Sequence, residues 1–211
     1  MGLAERLKAE TRELHAVAER AGLMPALLRG QLDRRSYSAL LRNLHAIYAA
    51  LEPALERHAA SAVVGPVVFP ALFRQTALAD DLNALHGAAW ADALPVHPAT
   101  ESYVQRLREL DATLPELLVA HAYVRSLGDL SGGQMLRGIV ARGLHLDDAT
   151  GIRFYDFGSV ADVALHLRAF RAALNALPAD AECLDAIVAE ARSAFERHAQ
   201  IFIQLASPMG G

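Results

Sequence analysis

Apolar residues return every three or four positions along most of this chain, the spacing of helices that each bury one face. Residues 3–21 carry Leu3, Leu7, Leu14 and Ala18 on one face, and Gly22 with the Met24–Pro25 step closes that helix. Asp33 or Ser36 can cap the next one. There Tyr37, Leu40, Leu41, Leu44, Ile47, Tyr48, Leu51 and Leu55 form the strongest amphipathic pattern of the chain, and Pro53 should bend or end it. Residues 61–70 read as a connection, a helical segment follows to about Leu85, and HGAAWADALPVHPA reads as a loop. Tyr103, Leu107 and Leu110 mark a short helix over Thr100–Leu110, and Thr113, Leu114, Pro115 and Glu116 supply a capping box that starts a long central segment. Beyond Gly143 and LHLDDATG lies a structured loop holding Phe154, Tyr155 and Phe157. Helical spacing returns in Val163, Leu167, Phe170 and Leu174, and again over Ala181–Leu205. No repeat or strand-like alternation interrupts this, so the expectation is an all-α, single-domain chain of about seven or eight helices spanning residues 1–211, with 207–211 a short flexible tail.

Two stretches depart from simple core patterning. The central segment Leu117–Arg142 is helix-forming, yet it holds Gly128, Gly132, Gly133 and Gly138. Each costs roughly 1 kcal/mol against alanine inside a helix. One reading is a break, with Gly128 ending one helix and Ser131 and Gln134 capping another. The other is a bent helix whose missing side chains let a flat ligand or a neighbouring helix come close. On the first helix, Lys8, Arg12, His15 and Glu19 follow at intervals of four, three and four and project along one stripe. A solvated face would look like this. So would a site for a ligand with an anionic edge and a metal centre, in which Glu19 orients His15. His198 falls on the apolar stripe of the last helix and therefore points to a buried polar network.

Composition narrows the classes. At 211 residues and 53% hydrophobic content the chain can bury a substantial core, and no apolar run approaches the ~18 residues of a membrane span. The start lacks the features of a secretory signal or a transit peptide, so a cytoplasmic protein without membrane attachment is expected. A net charge of −4 and the absence of basic tracts argue against a nucleic-acid partner. Lys8 is the only lysine, a bias to which no function is assigned. Cys183 stands alone, which removes internal disulfides, zinc ribbons and covalent heme attachment. The Glu-x-x-His pairs of di-iron bundles, phosphate-binding loops and nucleophile elbows are all missing. Nothing near Cys183 supplies a base to activate it.

The segment LLVAHAYVRSLGDLSGGQ resembles the signature of the heme oxygenases, and LKAETRELHAVAE resembles their proximal segment. The likeness continues in order through GQLDRRSYSALLRNLHAIYAALE, PVVFPALFRQTALADDL and EARSAFERHAQIFIQL. It implies a fold in which heme is sandwiched between a proximal N-terminal helix and a kinked, glycine-rich distal helix. His15 would then be the metal ligand and Glu19 its hydrogen-bond partner. Lys8, Arg12, Tyr123 and Arg171 would meet the propionates, with Phe195 and Gly133 also at the heme. Gly128 and Gly132 would leave room for oxygen, Asp129 would hold a water without touching iron, and Tyr48, Tyr103, Arg125 and His198 would complete a polar network. The resemblance further implies heme b as cofactor and substrate, O2 and an external reductant as co-reactants, and biliverdin (the α isomer expected), CO and ferrous iron as products. Many members carry a lysine where this chain has Leu167 beside Arg168, which bears on the seating of heme, and the animal enzymes have asparagine where His198 stands. Without their membrane tail the chain resembles the soluble bacterial branch, for which a monomer served by a ferredoxin or flavin-type reductase is expected. A non-catalytic heme-storing or heme-sensing protein is the alternative on the same fold, against which Asp129 argues; a helical module without cofactor is a further one.

Overall fold

The computed structural model describes residues 2–146 and 150–206, so the expected tail at 207–211 lies outside the described residues. Nine α-helices occur among them: α1 (Leu3–Ala18), α2 (Met24–Leu28), α3 (Arg34–Arg57), α4 (Gln75–His86), α5 (Trp90–Ala93), α6 (Pro98–Thr113), α7 (Leu118–Gly143), α8 (Val160–Asn175) and α9 (Ala181–Ala206). Short 3-10 turns fill the connections, including Arg153–Tyr155, and the described residues contain no strand.

Most helices follow from their patterns. The apolar positions expected on α3 are all buried, and Asp33 caps it by accepting the Ser36 N–H at 2.7 Å. Four details differ. Pro53 does not end α3, which runs on to Arg57; the bond it removes falls beside half-buried Ala49, where water can take the carbonyl. α1 stops at Ala18, before Gly22, and Met24–Pro25 opens α2 rather than closing α1. Trp90–Ala93 forms one helical turn within the expected loop because Trp90 is buried there, its indole N–H donating to Asn83 at 3.1 Å. Thr113 does not start the central helix but ends α6, bonding back to the Glu109 carbonyl, while Pro115–Leu117 makes a 3-10 turn. α8 begins with a Ser159–Asp162 capping box.

The central segment is one unbroken helix. α7 spans Leu118–Gly143 without a cap at Ser131, and none of its glycines adopts a positive φ. The break-and-recap reading therefore fails: tertiary packing on both sides outweighs the propensity cost of four glycines. Every residue from Leu118 to Arg125 is buried, as expected of a helix wrapped by others. α9 lies behind it, α1 packs chiefly on α9, and the arrangement leaves α1 facing the glycine half of α7. Close approaches that require glycine include two that position the cleft. At Gly22, with φ +50°, an added Cβ would fall 1.8 Å from the Phe202 carbonyl oxygen, and at Gly143 it would fall 2.6 Å from that of Gly30. These contacts seat the α1–α2 turn on α9 and the end of α7 on the turn after α2.

Candidate functional site

Between α1 and α7 runs a cleft in two joined parts of about 310 and 230 Å3 that share His15, Val124, Gly128, Ser131 and Phe195. The core face of α1, with Leu7 and Thr11 buried, turns the Lys8–Arg12–His15–Glu19 stripe toward this opening. His15 is half exposed, its ring edge-on to Phe195 with centroids 5.5 Å apart. Its Nε2 lies 3.8 Å from a Glu19 oxygen, within ion-pair reach but too far for the expected hydrogen bond.

The smaller part carries Lys8, Arg12 and Arg171 together with Tyr123. None of the three cations has an ion-pair partner among the described residues, so they offer their charge to the cleft. Tyr123 is buried and its hydroxyl lies 3.4 Å from that of Thr11, whose own proton goes to the Leu7 carbonyl. Leu167 is only partly buried, and Arg168 does not line the cleft.

The larger part is apolar on three sides, through Leu27, Leu40 and Leu44, Phe154, and Phe202. Its fourth side is α7. An added Cβ at Gly128 would meet no atom within 4 Å, and at Gly132 only Leu136, at 3.8 Å. Both positions are therefore space kept open over the cleft. Gly133 departs from expectation. It is buried on the other side of α7, where its Cβ would lie 3.5 Å from the Phe157 ring, so it serves helix packing and not ligand contact. Successive residues of a helix point about 100° apart, which is why its neighbour faces the cleft and it does not.

At the inner end Asp129 lines the cleft, held by both oxygens. Arg125 Nη2 donates to them at 2.7 and 2.9 Å, and the Tyr48 hydroxyl donates to one. Burial pushes the Asp129 carboxyl up while Arg125 and Tyr48 pull it down, and the same contact raises the Arg125 guanidinium. Arg125 Nη1 lies 3.0 Å from His198 Nε2. A guanidinium only donates, so Nε2 accepts and the His198 proton sits on Nδ1, facing the Ala194 carbonyl at 2.8 Å. Burial and Arg125 hold this imidazole neutral, at about 3.

Tyr103 joins indirectly, its ring edge-on to His198 at 5.0 Å while its hydroxyl pairs with His121 Nδ1 at 2.8 Å. His121 Nε2 continues to Glu190 at 3.1 Å, and Arg106 clasps Glu190 at 2.7 and 3.2 Å. These partners hold the Glu190 carboxyl down at about 2 despite its burial. Sequence reasoning missed His121, Glu190, Arg106 and Thr11. The signal that exposed His198, a polar residue inside an apolar run, was present for His121 and Glu190 as well.

A family model described as Heme oxygenase matches residues 1–204. Heme oxygenase 1 of Nostoc sp. is 38% identical over 203 residues, covering 96% of this chain and 85% of that protein. Among solved structures, heme oxygenase from Leptospira interrogans superposes with a TM-score of 0.92 at 37% identity, covering 97% of this chain and all of that one. Heme oxygenase-1 of the cyanobacterium Synechocystis, solved in complex with heme, gives 0.91 at 36% identity, covering 97% and 92%.

Proposed function

The chain belongs to the heme oxygenase family and degrades heme, and we propose that the α1–α7 cleft binds heme b as cofactor and substrate and yields biliverdin, CO and ferrous iron. The open backbone at Gly128 and Gly132 carries this reading, because it leaves a flat space between α7 and His15 that any side chain would fill. The donor set fits as well. Lys8, Arg12 and Arg171 suit two propionates by charge-assisted bonding, with Tyr123 beside them, and His15 would offer an imidazole nitrogen to iron. Heme supplies the redox-active iron and the ring that is opened.

The remaining work falls to the protein. Phe195 steadies the His15 ring. Asp129, fixed by Arg125 and Tyr48, presents an oxygen edge to the cleft, where it would hold a water as acceptor and so keep a proton source at its carboxylate. Arg125 in turn is set by His198, with Tyr103 packed behind. The apolar walls keep bulk water out. O2 and electrons from a ferredoxin or flavin-type reductase complete the reaction, and we place the chain in the cytoplasm as a one-domain monomer yielding chiefly the α isomer. No helix among the described residues is long and apolar enough to cross a membrane.

Heme added to the protein and reduced in air should lose its Soret band as biliverdin absorption grows. Heme bound but never consumed would leave only a storage or sensing protein. His15→Ala should abolish the histidine–iron resonance Raman band and lower turnover at least tenfold.

A further inference from the structure

The cleft has one wall that the polar network does not itself hold in place. Phe154 and Tyr155 line the larger part of the cleft, yet they belong to the Arg153–Tyr155 turn and not to a long helix. The Phe154 ring stands 6.1 Å from the Tyr48 ring and 4.9 Å from that of Tyr155. Nearby, the buried Tyr37 hydroxyl donates to the Gly151 carbonyl at 3.3 Å, two residues before the turn.

What fastens this turn is a carboxylate on α4. Asp81 is fully buried, and its two oxygens accept the consecutive backbone N–H groups of Arg153 and Phe154, each at 2.8 Å. Its partners are therefore main-chain donors, and the Arg153 guanidinium goes instead to exposed Asp80. Burying a carboxylate is expensive, and two main-chain N–H groups could be left to water if the turn were free to move. Gly151, with φ +87°, brings the chain so close to α4 that a Cβ would lie 2.9 Å from Leu85. The turn is thus clamped to α4 on one side and packed under Gly133 of α7 on the other.

We propose that Asp81 is a positioning residue for the reaction: through the N–H groups of Arg153 and Phe154 it sets Phe154 and Tyr155 against Tyr48 and the bound ring, and so helps select which edge of the ring is opened. This rests on the functional reading above. It predicts that relaxing the clamp changes product identity more than heme affinity, because Asp81 lies behind the wall and touches no ligand.

The test is Asp81→Asn, which keeps one acceptor oxygen and turns an amide N–H2 toward a backbone donor, with exposed Asp80→Asn as control. In the ligand-free protein the Arg153 and Phe154 amides should exchange at least tenfold faster in Asp81→Asn. In the heme complex the minor biliverdin isomers should rise at least twofold while heme affinity stays within threefold, and Phe154→Leu should redistribute the isomers in the same way. Unchanged amide exchange in Asp81→Asn, or an unchanged isomer distribution in both it and Phe154→Leu, overturns the proposal. If Asp81→Asn does not fold, Phe154→Leu decides by its isomers. Wild-type protein that binds no heme would instead overturn the functional reading, while the amide exchange still reports on the clamp.

Discussion

At Gly128 and Gly133 the same residue type is kept for opposite reasons. A methyl at Gly128 meets nothing in the protein, so Gly128→Ala should stabilise the ligand-free chain by about 1 kcal/mol through helix propensity alone. The same methyl projects into the cleft and should lower heme affinity at least tenfold. Gly133→Ala places its methyl at ordinary contact distance from Phe157 and should leave binding within threefold. Thermal unfolding of the free proteins and heme titration check both. Equal heme affinity for Gly128→Ala and wild type would contradict the placement of the ligand. Sequence alone marked both glycines as costly. It could not separate them, because which face of a helix meets a ligand depends on what packs against the other face.

At the scale of the element, α7 combines two tasks. Its first two turns are buried all round, and its second half borders a cleft, so no single amphipathic face runs its length. That is why periodicity said little here and the glycines suggested a break. Arg125 and Asp129, one turn apart, sit where the two regimes meet and form a buried pair in which one guanidinium nitrogen meets both carboxylate oxygens. Removing the carboxylate outright would leave Arg125 buried without its partner, a loss on the order of 3–5 kcal/mol. Asp129→Asn keeps the shape and should cost less stability. It should bind heme within threefold of wild type yet form biliverdin at least tenfold more slowly, as single-turnover absorbance would report. Normal biliverdin formation would remove Asp129 from its role. The resemblance named these residues singly, whereas their pairing and its anchoring by Tyr48 on α3 and His198 on α9 required three helices to converge.

The whole molecule carries a predictable acid response. His198 is held down at about 3, so the unfolded chain takes a proton first as pH falls below 6.5, and the stability its neutrality contributes is lost toward pH 3. Glu190, held at about 2, contributes above 4.5 and is lost as pH falls toward 2, by about 3 kcal/mol in all. Glu52 opposes them. Burial raises its carboxyl to about 7 although it accepts the Arg74 and Gln75 N–H groups, so acidification from 7 to 4.5 favours the folded state. Asp81, raised to about 6 by burial, acts in the same sense as Glu52, so urea unfolding should show no loss of stability between about pH 7 and 4.5 and a fall below that, reduced in Glu190→Gln. A steady decline from pH 7 would contradict this balance.

The sequence by itself determined the helices and much of the site's membership. Burial of one face imposes a three-to-four period that survives without coordinates, and that period set Lys8, Arg12, His15 and Glu19 on one line and His198 among apolar neighbours. Resemblance across the chain gave the chemistry to expect. Tertiary structure alone decided that α7 stays unbroken, that Gly133 turns away from the cleft, and that Glu19 stands 3.8 Å from His15. It alone brought Asp81 beneath Phe154 and linked His121 to Glu190. These are contacts between residues up to 73 positions apart, with no periodic trace in the chain, because a hydrogen bond across a core depends on how helices dock and not on the spacing along any one of them.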